Sequence, residues 1–289
     1  LKILVGIPAY NEERYISGVV LLARQYADEV VVVDDGSTDR TAEFARLAGA
    51  TVIVSEGNLG YGATIQAIFN QAAERLPDVL ITLDGDGQHD CNDIPKFVAA
   101  IEEGADVVIG SRALQRHRIP PYRRLGQKIL ARLTNLASRT NLSDTESGFR
   151  AYSRKAMRGL KLTQRGMAVS AEIITRASAL GLAIDEVPIS ISYNGDSSTL
   201  NPVSHGLGVL TEVIFMVTDR RPLLIFGIGG LICFILGLVF GIQAIVLYQT
   251  SGQVGVGHSF LTALFLIVSV LLLSTGAILS AVARRERPR

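Results

Sequence analysis

Val31-Val32-Val33-Asp34-Asp35-Gly36-Ser37-Thr38-Asp39 is a short apolar run that ends abruptly in two adjacent carboxylates and a polar turn. A run this short with no polar alternation fits a strand buried in the middle of a sheet. Four similar runs occupy residues 3–7, 51–54, 79–83 and 107–109, and amphipathic helical stretches at 13–26, 41–48, 63–75 and 94–103 separate them. Alternation of this kind predicts βαβ units and an α/β fold with a mostly parallel sheet flanked by helices. Ligands on such sheets bind beyond the carboxyl ends of the strands. The polar residues of interest stand there: Pro8-Ala9-Tyr10-Asn11-Glu12, then Asp34 and Asp35, then Asp84-Gly85-Asp86-Gly87-Gln88.

Each of these turns suits a specific chemistry. Asp84 and Asp86, separated by one glycine at a strand end, can both face one hard cation, and Gln88 can add a neutral oxygen. Mg²⁺ or Mn²⁺ held this way keeps open positions for diphosphate oxygens. Ser37 or Thr38 can cap the following helix, but capping does not account for the paired aspartates. A carboxylate at Asp34 or Asp35 can accept the imide N–H of a uracil or an N–H of guanine. Glu12 adds a carboxylate beside it and Tyr10 an aromatic ring.

Charge is distributed unevenly. Hydrophobic residues make up 48% of the 289, and residues 222–283 contain no Asp, Glu, Lys or Arg. Within that stretch, residues 223–247 and 260–282 are each long enough to cross a bilayer, which takes about 20 residues. A polar loop is expected over 248–259, with Gly227, Gly229, Gly230, Gly237 and Gly241 suited to close helix packing. Arg220 and Arg221 flank the first span, and Arg284 and Arg285 the second. By the positive-inside rule both termini and the N-terminal domain are expected in the cytoplasm, in a two-span protein of the cell membrane. The last six residues hold four arginines and one glutamate; without them 24 basic and 26 acidic residues remain of 28 and 27. That near balance argues against nucleic-acid binding. Cys91 and Cys233 fall in different regions, so no disulfide framework is expected. No signal peptide is expected, since residues 2–7 already read as a strand.

Residues 107–143 contain no acidic side chain but carry Arg112, Arg116, Arg118, Arg123, Arg124, Lys128, Arg132 and Arg139. From Tyr122 the spacing of Leu125, Ile129, Leu133 and Leu136 predicts a basic amphipathic helix, suited to an anionic membrane surface or a phosphate. A second amphipathic pattern spans 203–218. The expected organisation is a catalytic domain over 1–200, a juxtamembrane helix over 201–221, two membrane helices over 222–283 and a basic tail over 284–289.

With these motifs in this order, the chain resembles family 2 glycosyltransferases of the GT-A fold. Gly110-Ser111-Arg112 and Asp144-Thr145-Glu146-Ser147-Gly148-Phe149-Arg150 narrow the likeness to the polyprenyl-phosphate sugar synthases, the dolichyl-phosphate mannose and glucose synthase group. The resemblance covers residues 1 to about 200, and the two apolar stretches match its two-span members. It implies that Asp84, Asp86 and Gln88 hold Mg²⁺ or Mn²⁺ on the donor diphosphate, with Asp86, Arg112 and Asp144 as catalytic residues. Pro8, Tyr10, Glu12, Asp34, Asp35 and Asp84 would form the nucleotide site, with Glu12 and either Asp35 or Asp34 reading base and ribose. Arg112 and either Arg124 or Arg123 would grip the acceptor phosphate. Asp144 would contact a sugar hydroxyl or act as a base.

The resemblance further implies inversion at the anomeric carbon. The implied partners are a UDP- or GDP-linked sugar, a polyprenyl or dolichyl phosphate and the lipid membrane; a homo-oligomer is left open. Residues after the strand expected at 189–193 read Asn194-Gly195-Asp196, where some mannose synthases carry a basic residue. That departure favours UDP-glucose or UDP-N-acetylglucosamine as donor, with GDP-mannose as the alternative. A processive polysaccharide synthase is disfavoured because the chain has no Trp for the usual Gln-x-x-Arg-Trp motif. A nicotinamide dehydrogenase would carry G-x-G-x-x-G where Pro8 to Glu12 stand. A non-catalytic membrane scaffold is the rival of another class, and an intact Asp84, Asp86, Gln88 and Arg112 set argues against it.

Overall fold

The computed structural model describes residues 1–112, 131, 132, 134–136, 138, 140–191 and 222–285, the side chains of 222–225 and 281–285 excepted. The chain divides into two compact units, Leu1–Val213 and Ile214–Arg289.

The first unit begins with three parallel strands and their crossovers: β1 (Ile3–Ala9), α1 (Ile16–Ala23), β2 (Glu29–Asp34), α2 (Thr41–Leu47) and β3 (Thr51–Val54). Then come α3 (Tyr61–Arg75), β4 (Val79–Thr82), a single 3₁₀ turn at Cys91–Asp93, α4 (Ile94–Glu102) and β5 (Val107–Ser111). After the segment that carries Asp144 follow β6 (Arg150–Ser153), α5 (Arg154–Gly159), α6 (Val169–Ala179) and β7 (Ile184–Pro188). The strands form one sheet in the order β3-β2-β1-β4-β6-β5-β7. β6 runs antiparallel to both its neighbours, and the remaining pairs are parallel.

The apolar runs are continuous because each strand feeds two cores. Val30 and Val32 join Val5 and Ile7 in a cluster with Ile16, Val20 and Phe97. Val31 and Val33 point the other way, into a cluster with Leu4, Ile65, Ile68 and Ile173. Side-chain alternation along a strand thus buries both faces of the sheet. β1 lies between β2 and β4, so the chain leaves it in one direction toward β3 and returns on its other side. That is a topological switch point, the crevice where ligands bind on such sheets.

Two elements differ from the sequence expectation. The strand lies earlier than the one expected at 189–193, at Ile184–Pro188; among the described residues beyond it Ile191 makes an isolated bridge to His89, and Ser192 and Tyr193 lie outside the described residues. β6 has no apolar run, because its first residue is the buried Arg150. The helix expected from Tyr122 is described only at 131, 132, 134–136 and 138, all helical, whereas the helix expected at 203–218, Arg123, Arg124 and Asn194 to Asp196 lie outside the described residues.

The second unit contains α7 (Pro222–Ser251) and α8 (Val256–Arg285), packed against each other. Thirty residues of helix span about 45 Å, more than the ~30 Å hydrocarbon core. Phe226–Ser251 and Val256–Ser280 have mean hydropathies of 2.6 and 2.4, and only 11% of the 18-residue apolar stretch in each is buried. A helix at the centre of a soluble core would be covered on all sides; these leave their apolar flanks exposed. Gly230 and Gly237 meet Leu273 and Leu266, Gly241 meets Thr262, and Ser269 donates to the Gly230 carbonyl at 2.8 Å. Gly229 touches Leu272, whereas Gly227 touches nothing across the interface. The expected loop over 248–259 is largely helical. Thr250 and Ser251 return their hydroxyls to the carbonyls of Val246 and Leu247, at 2.9 and 2.7 Å, which lets polar residues extend α7.

Candidate active site

The turns that follow β1, β2 and β4 stand side by side at one edge of the sheet. Ala9 is paired in register with Asp34, and the Asp35 amide donates to the Ala9 carbonyl at 2.8 Å. Asn11, in the left-handed region at φ 57°, clips the first two turns together. Its amide donates to Ser37 Oγ at 2.8 Å, and its side-chain oxygen accepts from the Thr38 amide at 2.9 Å. The Glu12 amide donates to Thr41 Oγ1 at 2.7 Å, leaving the Glu12 carboxyl to the crevice.

Asp34 and Asp35 are both buried, and both are engaged in shaping the loops. Asp34 Oδ1 accepts from the amide and the hydroxyl of Ser37. Asp35 accepts from the amides of Leu59 and Gly60 at 2.8 and 2.9 Å, anchoring the start of α3. Tyr10 is exposed and Pro8 buried.

Asp84, Gly85 and Asp86 follow β4 after the single residue Leu83. Gly87, at φ 70°, turns the chain so that the Gln88 amide reaches Asp86 Oδ1 at 3.0 Å. Asp84 is held from both sides, Oδ1 by the Tyr61 hydroxyl and Oδ2 by His89 Nε2, each at 3.2 Å. Negative charge is concentrated here. Burial first, then the charges of Asp86, Asp84 and Asp39, push the Glu12 carboxyl up to about 7. Burial and the charge of Asp84 raise Asp86 as well. Burial acts to raise Asp84 too, but its bonds from His89 and Tyr61 and the Arg112 charge hold it below its ordinary value. Among the described residues no three His, Cys, Asp or Glu side chains gather closely enough to hold a cation by themselves.

Beyond β5, Arg112 grips Asp144 through a two-pronged ion pair, Nε to Oδ2 at 2.6 Å and Nη2 to Oδ1 at 2.8 Å. The Arg112 and Glu146 amides each add a bond to Asp144 at 3.2 Å. Burial would raise Asp144, but the Arg112 guanidinium outweighs it and keeps the carboxylate below its usual range. The segment that bears it is shaped by Arg150, whose buried guanidinium donates to the carbonyls of Thr145, Ser147 and Ser170 at 2.7, 2.8 and 3.0 Å. From β7, Glu186 accepts from the amides of Ser143 and Asp144 at 2.9 and 3.0 Å.

The structure thus brings together Glu12, Asp84 and Asp86, and separately joins Arg112 to Asp144. Tyr61 and His89 were not among the residues singled out from the sequence. The available signals were weak: a histidine directly after Gln88, and a tyrosine between Gly60 and Gly62 where a helix begins.

Sheet order, crevice and carboxylate pair define a GT-A type sugar-nucleotide transferase fold. Residues 4–160 match the family described as glycosyl transferase family 2, and the chain belongs to that family. It is a glycosyltransferase. A dolichyl-phosphate hexose transferase of Haloferax volcanii is 34% identical over 227 residues, 76% of this chain and 95% of that protein. A polyprenol monophosphomannose synthase of Mycolicibacterium smegmatis is 31% identical over 66% of this chain and 77% of its own length. Among solved structures, glucosyl-3-phosphoglycerate synthase of Mycobacterium tuberculosis, in complex with Mn²⁺, UDP-glucose and phosphoglyceric acid, superposes with a TM-score of 0.59. It is 25% identical, and the match covers 76% of this chain and 79% of that one.

Proposed function

We propose that the chain transfers a hexose from a nucleotide-sugar to a polyprenyl or dolichyl phosphate at a membrane surface, with inversion at the anomeric carbon. The observation that carries this reading is the crevice beside β1 and β4. There Glu12, Asp84 and Asp86 bring negative charge together, which His89 offsets only in part at Asp86. Two carboxylates and the side-chain oxygen of Gln88 suit Mg²⁺ or Mn²⁺ with positions left for a diphosphate. Bound there, the cation would stabilise charge on the departing nucleoside diphosphate. The solved relative named with Mn²⁺ and UDP-glucose supports the same donor chemistry.

Asp34, Asp35, Pro8, Tyr10 and Glu12 are assigned to the nucleoside. Asp34 and Asp35 hold the loops that line it; Tyr10 offers an exposed ring. Arg112, with Arg123 or Arg124, is assigned to the acceptor phosphate. A phosphate monoester is already anionic at neutral pH and needs positioning rather than deprotonation. An Asp144 held ionised by Arg112 suits that requirement, as an orienting group for Arg112 rather than a base. The names of the two curated relatives, both acting on a lipid phosphate, support this acceptor.

We assign residues 1–200 to catalysis, 201–221 to a juxtamembrane helix, 222–283 to two membrane helices and 284–289 to a cytoplasmic tail. The basic residues flanking the apolar pair support a cytoplasmic catalytic unit under the positive-inside rule. UDP-glucose and UDP-N-acetylglucosamine are the favoured donors. The test is a panel of UDP-glucose, UDP-N-acetylglucosamine and GDP-mannose, each with Mn²⁺ and one polyprenyl phosphate. Formation of a lipid-phosphate-linked sugar from a UDP-sugar is expected. Preference for GDP-mannose would overturn the donor assignment, and no lipid product from any donor would overturn the acceptor assignment.

A further inference from the structure

His89 stands directly after Gln88, and its side chain is only 6% exposed. The ring lies against Phe149, centroids 5.2 Å apart, and Phe149 stacks on Phe97 at 4.2 Å. The backbone of His89 is tied to Ile191 by an antiparallel bridge. Packing and backbone together leave the imidazole little freedom.

Its two nitrogens are used unequally. Nε2 lies 3.2 Å from Asp84 Oδ2, and an ionised carboxylate can only accept, so Nε2 carries the proton. Nδ1 is buried without a hydrogen-bond partner among the described residues. An unpaired buried polar atom costs desolvation energy that an apolar side chain of similar size would avoid. A ring present for packing alone has no reason to bear that cost, so the Nε2 bond to Asp84 is the feature that explains a histidine here.

Asp84 is fixed on its other sides too. The Tyr61 hydroxyl reaches Oδ1 at 3.2 Å. Gly148 lies so close that a Cβ on it would stand 2.5 and 2.6 Å from the two carboxylate oxygens. Two donors on opposite oxygens and a wall of bare backbone set the carboxylate plane. Without the donors, repulsion from Asp86 and Glu12 would turn Asp84 away from the crevice. We propose that His89 and Tyr61 are positioning residues that hold the Asp84 carboxylate in the orientation required at the cation–diphosphate site. The proposal rests on the metal-dependent transferase reading above.

The test uses the full-length protein in lipid nanodiscs. Free Mn²⁺ is counted by its electron paramagnetic resonance signal in the presence of UDP, and UDP binding without metal is measured by calorimetry. Loss of a residue supporting a metal ligand typically weakens metal affinity 10- to 100-fold. His89→Leu and Tyr61→Phe are each expected to weaken Mn²⁺ binding by about that factor while metal-free UDP binding stays unchanged. His89→Gln, whose amide nitrogen reaches the place of Nε2, is expected to restore most of the loss. A packing role would make Gln no better than Leu, since its buried amide adds a desolvation cost. Should His89→Leu not fold, Tyr61→Phe, which removes one oxygen, carries the test alone. Wild-type Mn²⁺ affinity in His89→Leu or Tyr61→Phe, or no advantage of Gln over Leu, overturns the positioning role. Wild-type protein that binds no Mn²⁺ with UDP or GDP, and transfers fully in EDTA, overturns the metal-dependent reading and this proposal with it.

Discussion

Donor binding should expel a proton from Glu12. Burial and the negative charges of Asp86, Asp84 and Asp39 raise this carboxyl to about 7 when no cation is present. Glu12 should therefore be about 0.9 protonated at pH 6, half at pH 7 and about 0.1 at pH 8. A divalent cation between Asp84 and Asp86 would remove the repulsion and add its own attraction for the ionised form, lowering Glu12 toward the ordinary carboxylate range against the burial that remains. Binding should then release about 0.9 proton at pH 6, about 0.5 at pH 7 and about 0.1 at pH 8. The sign follows: a group whose value falls on binding makes binding tighter as pH rises through its free-state value. Affinity for the metal–donor pair should improve about tenfold between pH 6 and pH 8.

UDP-glucose is the probe of choice, because its diphosphate is doubly esterified and does not titrate in this range. Calorimetry with Mn²⁺ in buffers of different ionisation enthalpy gives the proton count as the slope of apparent enthalpy. Glu12→Gln should abolish most of the release and flatten the pH dependence. A wild-type release below about 0.3 proton at pH 6, or an undiminished release in Glu12→Gln, would refute the electrostatic account of the crevice.

Four further outcomes are expected. Asp84→Ala or Asp86→Ala should abolish transfer, as should EDTA on the wild type, with Mg²⁺ or Mn²⁺ restoring it; full activity in EDTA would contradict metal dependence. Gly148→Ala places a methyl group against the Asp84 carboxylate and should weaken Mn²⁺ binding while thermal stability changes little, measured by the free Mn²⁺ signal and by melting. Arg112→Ala or Arg124→Ala should cut transfer to polyprenyl phosphate roughly 10- to 150-fold, with metal-dependent nucleotide binding intact and lysine rescuing only partly. Equal loss of nucleotide binding would assign these arginines to the donor. In a background with Cys91 and Cys233 replaced, a cysteine at Gly255 should react with an impermeant probe from outside intact cells, and one at Arg287 should not.

The strands that carry the nucleotide and metal residues were readable because they are buried on both faces, which writes an unbroken apolar run. β6 was not, since Arg-Ala-Tyr-Ser has no such run; its arginine is buried by giving its donors to three backbone carbonyls. β7 was displaced for a related reason. Asp185 and Glu186 interrupt Ile184–Pro188, and Glu186 spends its carboxylate on the backbone of the Asp144 segment, so the apolar residues just beyond looked more like a strand. The metal motif was visible as a local spacing of carboxylates. The contacts that orient it come from Tyr61, 23 residues before Asp84, and from a histidine whose partner depends on how the turn closes.

The pairing of Arg112 with Asp144 spans 32 residues and, on the proposed acceptor reading, would constrain how the phosphate is received. Asp144 neutralises much of the Arg112 charge locally, so Arg112 alone is a weak attractor for a phosphate. What the pair supplies is direction: a guanidinium plane fixed by two bonds, close enough for its charge to be felt at Asp84. On the proposed acceptor reading, the attraction is assigned to Arg116, Arg118, Arg123, Arg124 and Lys128, in a stretch without acidic side chains. Collection and aiming of the acceptor would fall to different residues. Neutralising one collecting arginine should therefore raise the KM for lipid phosphate and steepen its salt dependence. Releasing Arg112 by Asp144→Asn should instead lower kcat.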